Sequence, residues 1–197
     1  MRITPRSTLG LAWLALALMA SIGHAAPVEK LIVDFKSKER ALNWQIVNDA
    51  VMGGVSTSRF AVTNGVGQFR GNLSLENNGG FASVRADGAI SDLTGNDAMV
   101  VRVKGDGRNY QLRVRTATGG RADYQTEFQT VKGQWQEHRL PFAGFVPTWR
   151  GRLLTGVPPI DPARVQSIGF FLADNQPGAF ELEIQWVKAT GQNPKTP

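Results

Sequence analysis

Residues 110–116 read YQLRVRT. In an extended chain successive side chains point to opposite faces. Tyr110, Leu112 and Val114 therefore share one side, and Gln111, Arg113 and Arg115 the other. One apolar and one polar face is the pattern of a half-buried strand in an antiparallel sheet. Outward from this stretch the pattern recurs. DYQTEFQTV (123–131) sets Tyr124 and Phe128 against Gln125, Glu127 and Gln129, and MVVRVKG (99–105) sets Met99, Val101 and Val103 against Arg102 and Lys104. FELEIQWV (180–187) predicts Phe180, Leu182, Ile184 and Trp186 on one face, opposite Glu181, Glu183 and Gln185.

LIVDF, NWQIV, STSRFAV, GQFRGNLSL, GFASVRA, WQEHRL and SIGFFLA read as further strands. They are separated by TNGVG, NNGG, GDGRN, TGGR, KGQ and NQPG, clusters in which glycine supplies positive φ and Asn or Asp tolerates it. No stretch keeps a 3.6-residue apolar period over three turns, and DPARVQSIG is expected to open with a single helical turn. Many short strands at regular spacing predict an all-β sandwich of two antiparallel sheets. Residues 144–163 hold four prolines and are expected to form the longest irregular connection. TATGGRA (116–122) is expected to close a hairpin that sets the polar rows of its two strands side by side.

The chain has 197 residues, 42% hydrophobic and 19% charged, the composition of a globular protein. It has no cysteine, which removes disulfides, thiolate metal sites and cysteine nucleophiles together. At the N-terminus MRITPRS supplies two arginines, TLGLAWLALALMASI is apolar, and GHAAP offers small residues. This is the three-part layout of a secretory signal, a solid apolar block and not an amphipathic transit peptide. Cleavage is expected after Ala25, leaving a single sandwich domain over residues 26–190 and a disordered tail over 191–197. The apolar run falls short of a membrane span, so no stable membrane insertion is expected after cleavage, and the location expected is periplasmic or secreted. Loss of Arg2 and Arg6 lowers the net charge from +6 to +4. Export makes nucleic acid an unexpected partner, and a monomer is expected.

Between NWQIV and VSTSRFAV lies NDAVMGG, residues 48–54. It is longer than a two-residue hairpin turn and carries Val51 and Met52 on what should be a wet loop. A corner between different sheets accounts for the length. Asn48 and Asp49 are expected to bond backbone amides two residues on. Gly53 and Gly54 are expected to supply unusual φ or close approach of another segment, and Val51 and Met52 to tuck under the sandwich edge as a plug.

The motifs WQIVNDAVMGGVS, FRGNLSLENNGGFASVR, VKGDGRNYQL, WQEHRLPF and SIGFFLA resemble the complex I intermediate-associated protein 30 family over residues 31–187. The resemblance implies a jelly-roll β-sandwich like galactose-binding domains. It also implies the family's role: mitochondrial members are non-catalytic, chaperone-like assembly factors of respiratory NADH:ubiquinone oxidoreductase. An exported, bacterial-type member departs from that pattern, since it would meet only the outer surface of the enzyme's membrane arm.

Enzyme chemistry finds little in the residues. With His24 in the signal, His138 is the only remaining histidine; it is expected to be a satisfied surface residue, with no second group to complete an acid–base pair. One histidine and no cysteine leave zinc unsupported. Asp106 alone in GDGRN is a poor calcium loop, and no helix follows GDGR to make it a phosphate cradle. No enzyme activity, metal or cofactor is expected. A protein or a glycan is the expected partner. An assembly factor would present an apolar patch, with Phe142, Phe145, Val146 and Trp149 as candidates. A carbohydrate-binding module would present a flat aromatic and planar polar groups. The candidate binding residues are Arg85, Arg113, Arg115, Gln125, Glu127, Trp149 and Phe171, with Asn48, Asp49, Met52, Gly53 and Gly54 as a structural loop. Cross-strand pairing of Arg113 or Arg115 with Glu127 is the competing expectation.

Overall fold

The computed structural model describes residues 28–37, 42–88, 90 and 92–191; the expected signal and most of the expected tail lie outside them. Thirteen strands follow in chain order: β1 (Val28–Asp34), β2 (Asn43–Ile46), β3 (Thr57–Thr63), β4 (Val66–Leu73), β5 (Ala82–Asp87), β6 (Ala98–Lys104), β7 (Asn109–Thr116), β8 (Asp123–Gln129), β9 (Trp135–Pro141), β10 (Val146–Trp149), β11 (Arg152–Leu153), β12 (Val165–Leu172) and β13 (Gly178–Gly191). One sheet runs β3-β4-β13-β6-β9, with β1 also along β13; the other runs β11-β10-β8-β7-β12-β5-β2. The pairings between these strands are antiparallel. There is no α-helix among the described residues, only short 3-10 turns. One of these is Pro162–Arg164, capped by Asp161, whose carboxylate accepts from Ala163 N at 3.0 Å; it is the turn expected in DPARVQSIG.

The alternating residues meet between the sheets. Phe69, Val101, Val103, Leu182 and Ile184 from one sheet and Leu112, Val114, Tyr124, Ile168 and Phe170 from the other are buried in one core. Each such side chain contributes roughly 1.5–3 kcal/mol on leaving water. Phe35, Trp44 and Phe60 close one side, with ring centroids 4.9–5.7 Å apart, where the chain crosses from β2 in the seven-stranded sheet to β3 in the six-stranded one.

Several expectations change. A bulge between Ile184 and Trp186 shifts the register of β13 against β6. Trp186 therefore pairs with Arg102 on the outer face, and Val187 takes the core position opposite Val101. The proline-rich connection is not wholly irregular: β10 and β11 form a hairpin that extends the seven-stranded sheet. Phe142 and Phe145 are buried and form no exposed patch. β13 runs on to Gly191, which pairs with Val28 of β1 and is the first residue of the expected tail. His138 lies opposite Val101, on the core side of β9, with its ring 5.1 Å from Phe128. Its Nε2 is buried without a hydrogen-bond partner, and burial pushes its pKa down.

The GDGR turn is structural. The Asp106 carboxylate accepts from Arg108 N, from the Tyr110 hydroxyl and, at 2.8 Å, from Glu181 N. Arg108 forms a two-pronged pair with Asp174 at 2.9 and 2.6 Å, fastening the β12–β13 connection to the start of β7.

Candidate functional site

The NDAVMGG corner folds as a 3-10 turn, Asp49–Met52. Asn48 and Asp49 do not bond two residues on. Asn48 Oδ1 accepts from Ser58 Oγ at 2.8 Å and Ser83 N at 3.3 Å. The Asp49 carboxylate, 0% exposed, accepts from Ser56 N (2.9 Å), Ser56 Oγ (2.6 Å), Gly80 N (2.7 Å) and Phe81 N (3.2 Å). Burial pushes its pKa up, but the Ser56 hydroxyl and the amides of Gly80, Ser56 and Phe81 outweigh it and hold the carboxyl below its ordinary value. Gly54 and Gly79 leave room for this group, since a Cβ on either would lie 2.6 Å from a carboxylate oxygen. Gly53 has φ +90°, the positive φ expected of it. With a carboxylate at the centre of the corner there is no apolar hole to plug. Val51 and Met52 instead point outward, 71% and 57% exposed, beside exposed Val55 and Leu75.

The corner adjoins the outer face of the seven-stranded sheet. Phe81, whose amide bonds Asp49, stacks on Phe171 with centroids 5.0 Å apart. The Arg113 guanidinium lies over the Phe171 ring, 3.3 Å from its centroid. Phe171 faces outward as expected but is buried beneath these two groups, so it is not an open platform. Trp149 follows Thr148, which pairs with Asp123 on the outer face, so by alternation it turns to the other side. There it carries Arg121 and Arg150 at 4.4 and 4.8 Å. The structure thus gathers Arg85, Arg113, Arg115, Gln125, Glu127 and Phe171 on one face and leaves Trp149 apart.

Register orders that face into rows. Gln45, Arg85, Gly169, Arg113 and Gln125 lie side by side across β2, β5, β12, β7 and β8. β7 and β8 pair as expected, but Arg85 joins them only through Gly169, which sequence reading overlooked. A Cβ there would stand 2.7 Å from Val84 O and 3.1 Å from Arg85 Cγ. A glycine inside an apolar strand signals such a close approach, and SIGFFLA carried that signal.

Charge is unevenly satisfied across the face. Arg115 pairs with Asp123, not with Glu127. Glu127 accepts from Asn109 (2.8 Å) and Gln111 (3.2 Å). Among the described residues Arg113 donates only to Gln111 Oε1, at 3.2 and 3.0 Å, and Gln125 Oε1 accepts from Thr148 (3.2 Å). Half-buried Arg85 makes no hydrogen bond and no ion pair among the described residues. Burial, which Asp123 offsets in part and neighbouring guanidiniums reinforce, pushes Arg113 down to about 10 and lowers Arg85. The six-stranded sheet's outer face differs: Arg70–Glu181, Arg102–Glu137, Lys104–Glu183 and Lys188–Glu29 are paired there.

Two antiparallel sheets packed face to face define a jelly-roll β-sandwich. The profile of the complex I intermediate-associated protein 30 family matches residues 33–184, and the chain belongs to that family. "Complex I intermediate-associated protein 30, mitochondrial" of Mus musculus is 26% identical over 80% of this chain and 55% of its own length. The Drosophila melanogaster protein of that name is 28% identical over 80% of this chain and 61% of its own length. The chain thus spans a little over half the length of these relatives. They are named as mitochondrial. This points to mitochondria and corrects the expectation of a periplasmic or secreted protein. Among solved structures, a family 11 carbohydrate-binding module of Clostridium thermocellum in complex with a mixed-linked tetrasaccharide superposes with TM-score 0.61 and 18% identity, over 85% of this chain and 97% of that one. A family 30 module gives 0.53 and 16%, over 86% and 91%. At such identities the likeness is one of fold.

Proposed function

We propose that this chain is a non-catalytic protein-binding module that associates with intermediates of respiratory complex I. Its working surface in this reading is the outer face of the seven-stranded sheet together with the corner around Asp49. The observation that carries the reading is the pair of half-buried guanidiniums, Arg85 and Arg113, left without carboxylates on a face where Arg115 has one. Half-burying a cation without a partner is costly, and a partner's acceptors relieve that cost. Exposed Val51, Met52, Val55 and Leu75 supply an apolar margin on loops that Asp49 and Ser56 fasten together. The glycan alternative is less well supported. Sugar hydroxyls require acceptors as well as donors, and the acceptors Asp123, Glu127 and Gln111 Oε1 are already engaged. The ring of Phe171 is buried against Phe81 and Arg113. The test is capture from solubilised mitochondrial membranes by the immobilised full chain, beside a glycan array. Recovery of complex I subunits with a blank array is expected. Glycan binding without complex I subunits would overturn the proposal.

A further inference from the structure

We infer that Arg85 and Arg113, on either side of Gly169, form a carboxylate-binding cleft that takes an acidic side chain of a partner protein. The inference rests on the proposed reading of this face as a binding surface and adds the chemistry of what it binds.

Three observations converge. First, geometry: the two arginines stand one strand to either side of Gly169 in a single row. Neighbouring strands lie roughly 4.8 Å apart, so the two stems are on the order of 10 Å apart, and their heads can reach a common small ligand above the glycine. Gly169 has no side chain between them, and the Arg85 stem leans over it, its Cγ 3.1 Å from where a Cβ would stand. Secondly, orientation: stacking on Phe171 fixes the plane of the Arg113 guanidinium, and Gln111 Oε1 occupies its Nε edge and Nη2. Its Nη1 donors remain. Arg85 keeps all of its donors among the described residues, and Gln125, whose Oε1 accepts from Thr148, stands beside Arg113 in the same row. Asp123 and Ser167 also line the cleft, but Asp123 is held by Arg115; the guanidinium donors left over fit an acceptor-only group, and an ionised carboxylate is one. Planar forks meet it two bonds at a time. Thirdly, charge: Asp123 is engaged by Arg115. Asp87, the other nearby carboxylate, is exposed at the end of β5 and acts on Arg85 least of the neighbouring charges. Burial lowers the pKa of both arginines, and Asp123 offsets that only in part.

Fluorescence anisotropy of the full chain with a labelled peptide of alternating glutamate and serine tests this, with the matching glutamine–serine peptide as comparison. The glutamate peptide is expected to bind about tenfold or more tightly than the glutamine peptide. Arg85→Gln and Arg113→Gln should each remove most of that difference. Arg59→Gln, which deletes an exposed guanidinium on the other sheet, should leave it intact. Should the two cleft variants fail to fold, acetate titration of the wild-type chain reads the same interaction, because the Arg85 and Arg113 Nε–H resonances should move together. Equal binding of the two peptides, unchanged binding by folded cleft variants, equal loss in Arg59→Gln, or unmoved resonances would each overturn the inference. So would displacement of the peptide by inorganic phosphate at concentrations where acetate has no effect, which would reassign the cleft to phosphate. If complex I subunits are still captured while the peptide fails, the carboxylate inference falls and the proposed function stands.

Discussion

Asp49 is the residue on which the corner turns. Four donors from two chain segments converge on its carboxylate, and charged acceptors form stronger bonds than neutral ones. Asp49→Asn would place an amide NH2 against donors and is expected to cost at least about 2 kcal/mol in denaturant unfolding. Its folded pKa lies below the unfolded carboxylate value of about 3.9. The stability it adds is therefore complete above that value and lost as pH falls through the folded pKa. Unfolding measured from neutral to strongly acidic pH should show that loss in the wild type and a shallower one in Asp49→Asn; parallel curves would remove Asp49 as its source. The adjacent glycines should behave differently. Gly53→Ala meets open space and is expected to cost about 1–2 kcal/mol, through positive φ alone. Gly54→Ala drives a methyl into a carboxylate that four bonds hold still, and roughly 3 kcal/mol is expected. Thermal melts with Gly53→Ala the worse of the two would contradict this. Sequence identified all three residues as special, but it placed the partners of Asp49 two positions away when some lie more than thirty positions on.

At the scale of the element, alternation was a sound guide wherever a strand kept an unbroken ladder. β6, β7 and β8 bury the residues that alternation chose. It failed at β13, because a bulge inserts one residue and reverses every face beyond it; nothing in FELEIQWV marks that insertion. β10 escaped notice because Pro147 cannot donate to a ladder and so argues against a strand, although its carbonyl accepts from Leu154 N at 2.9 Å. β12 carries the prediction proper to this scale. Gly169→Ala would press against the Val84 carbonyl and the Arg85 stem, and about 1–3 kcal/mol of destabilisation is expected from overpacking. Gly144→Ala, whose Cβ would meet only Thr126 Oγ1 at 4.0 Å, should change unfolding little. Equal stabilities would mean that β12 and β5 part without strain.

For the whole molecule, two sheets with opposite electrostatic habits follow from which strands adjoin. Long-range order sets this. Arg85 and Arg113 are 28 positions apart in sequence and become neighbours only because β12 inserts between β5 and β7. Sequence could name both arginines without placing glycine between them. It read the sandwich from local alternation, whereas the cleft exists only in the strand order. Far-UV circular dichroism should give a β spectrum without helical minima, and size-exclusion chromatography a monomer. The most direct measurement compares capture of complex I subunits by Arg113→Ala/Arg115→Ala, on the seven-stranded sheet, with capture by Lys104→Ala/Glu183→Ala, a paired site on the other sheet. Both should remain folded. The account predicts that the first loses capture and the second retains it; retained capture by a folded first variant, or loss confined to the second, would contradict it.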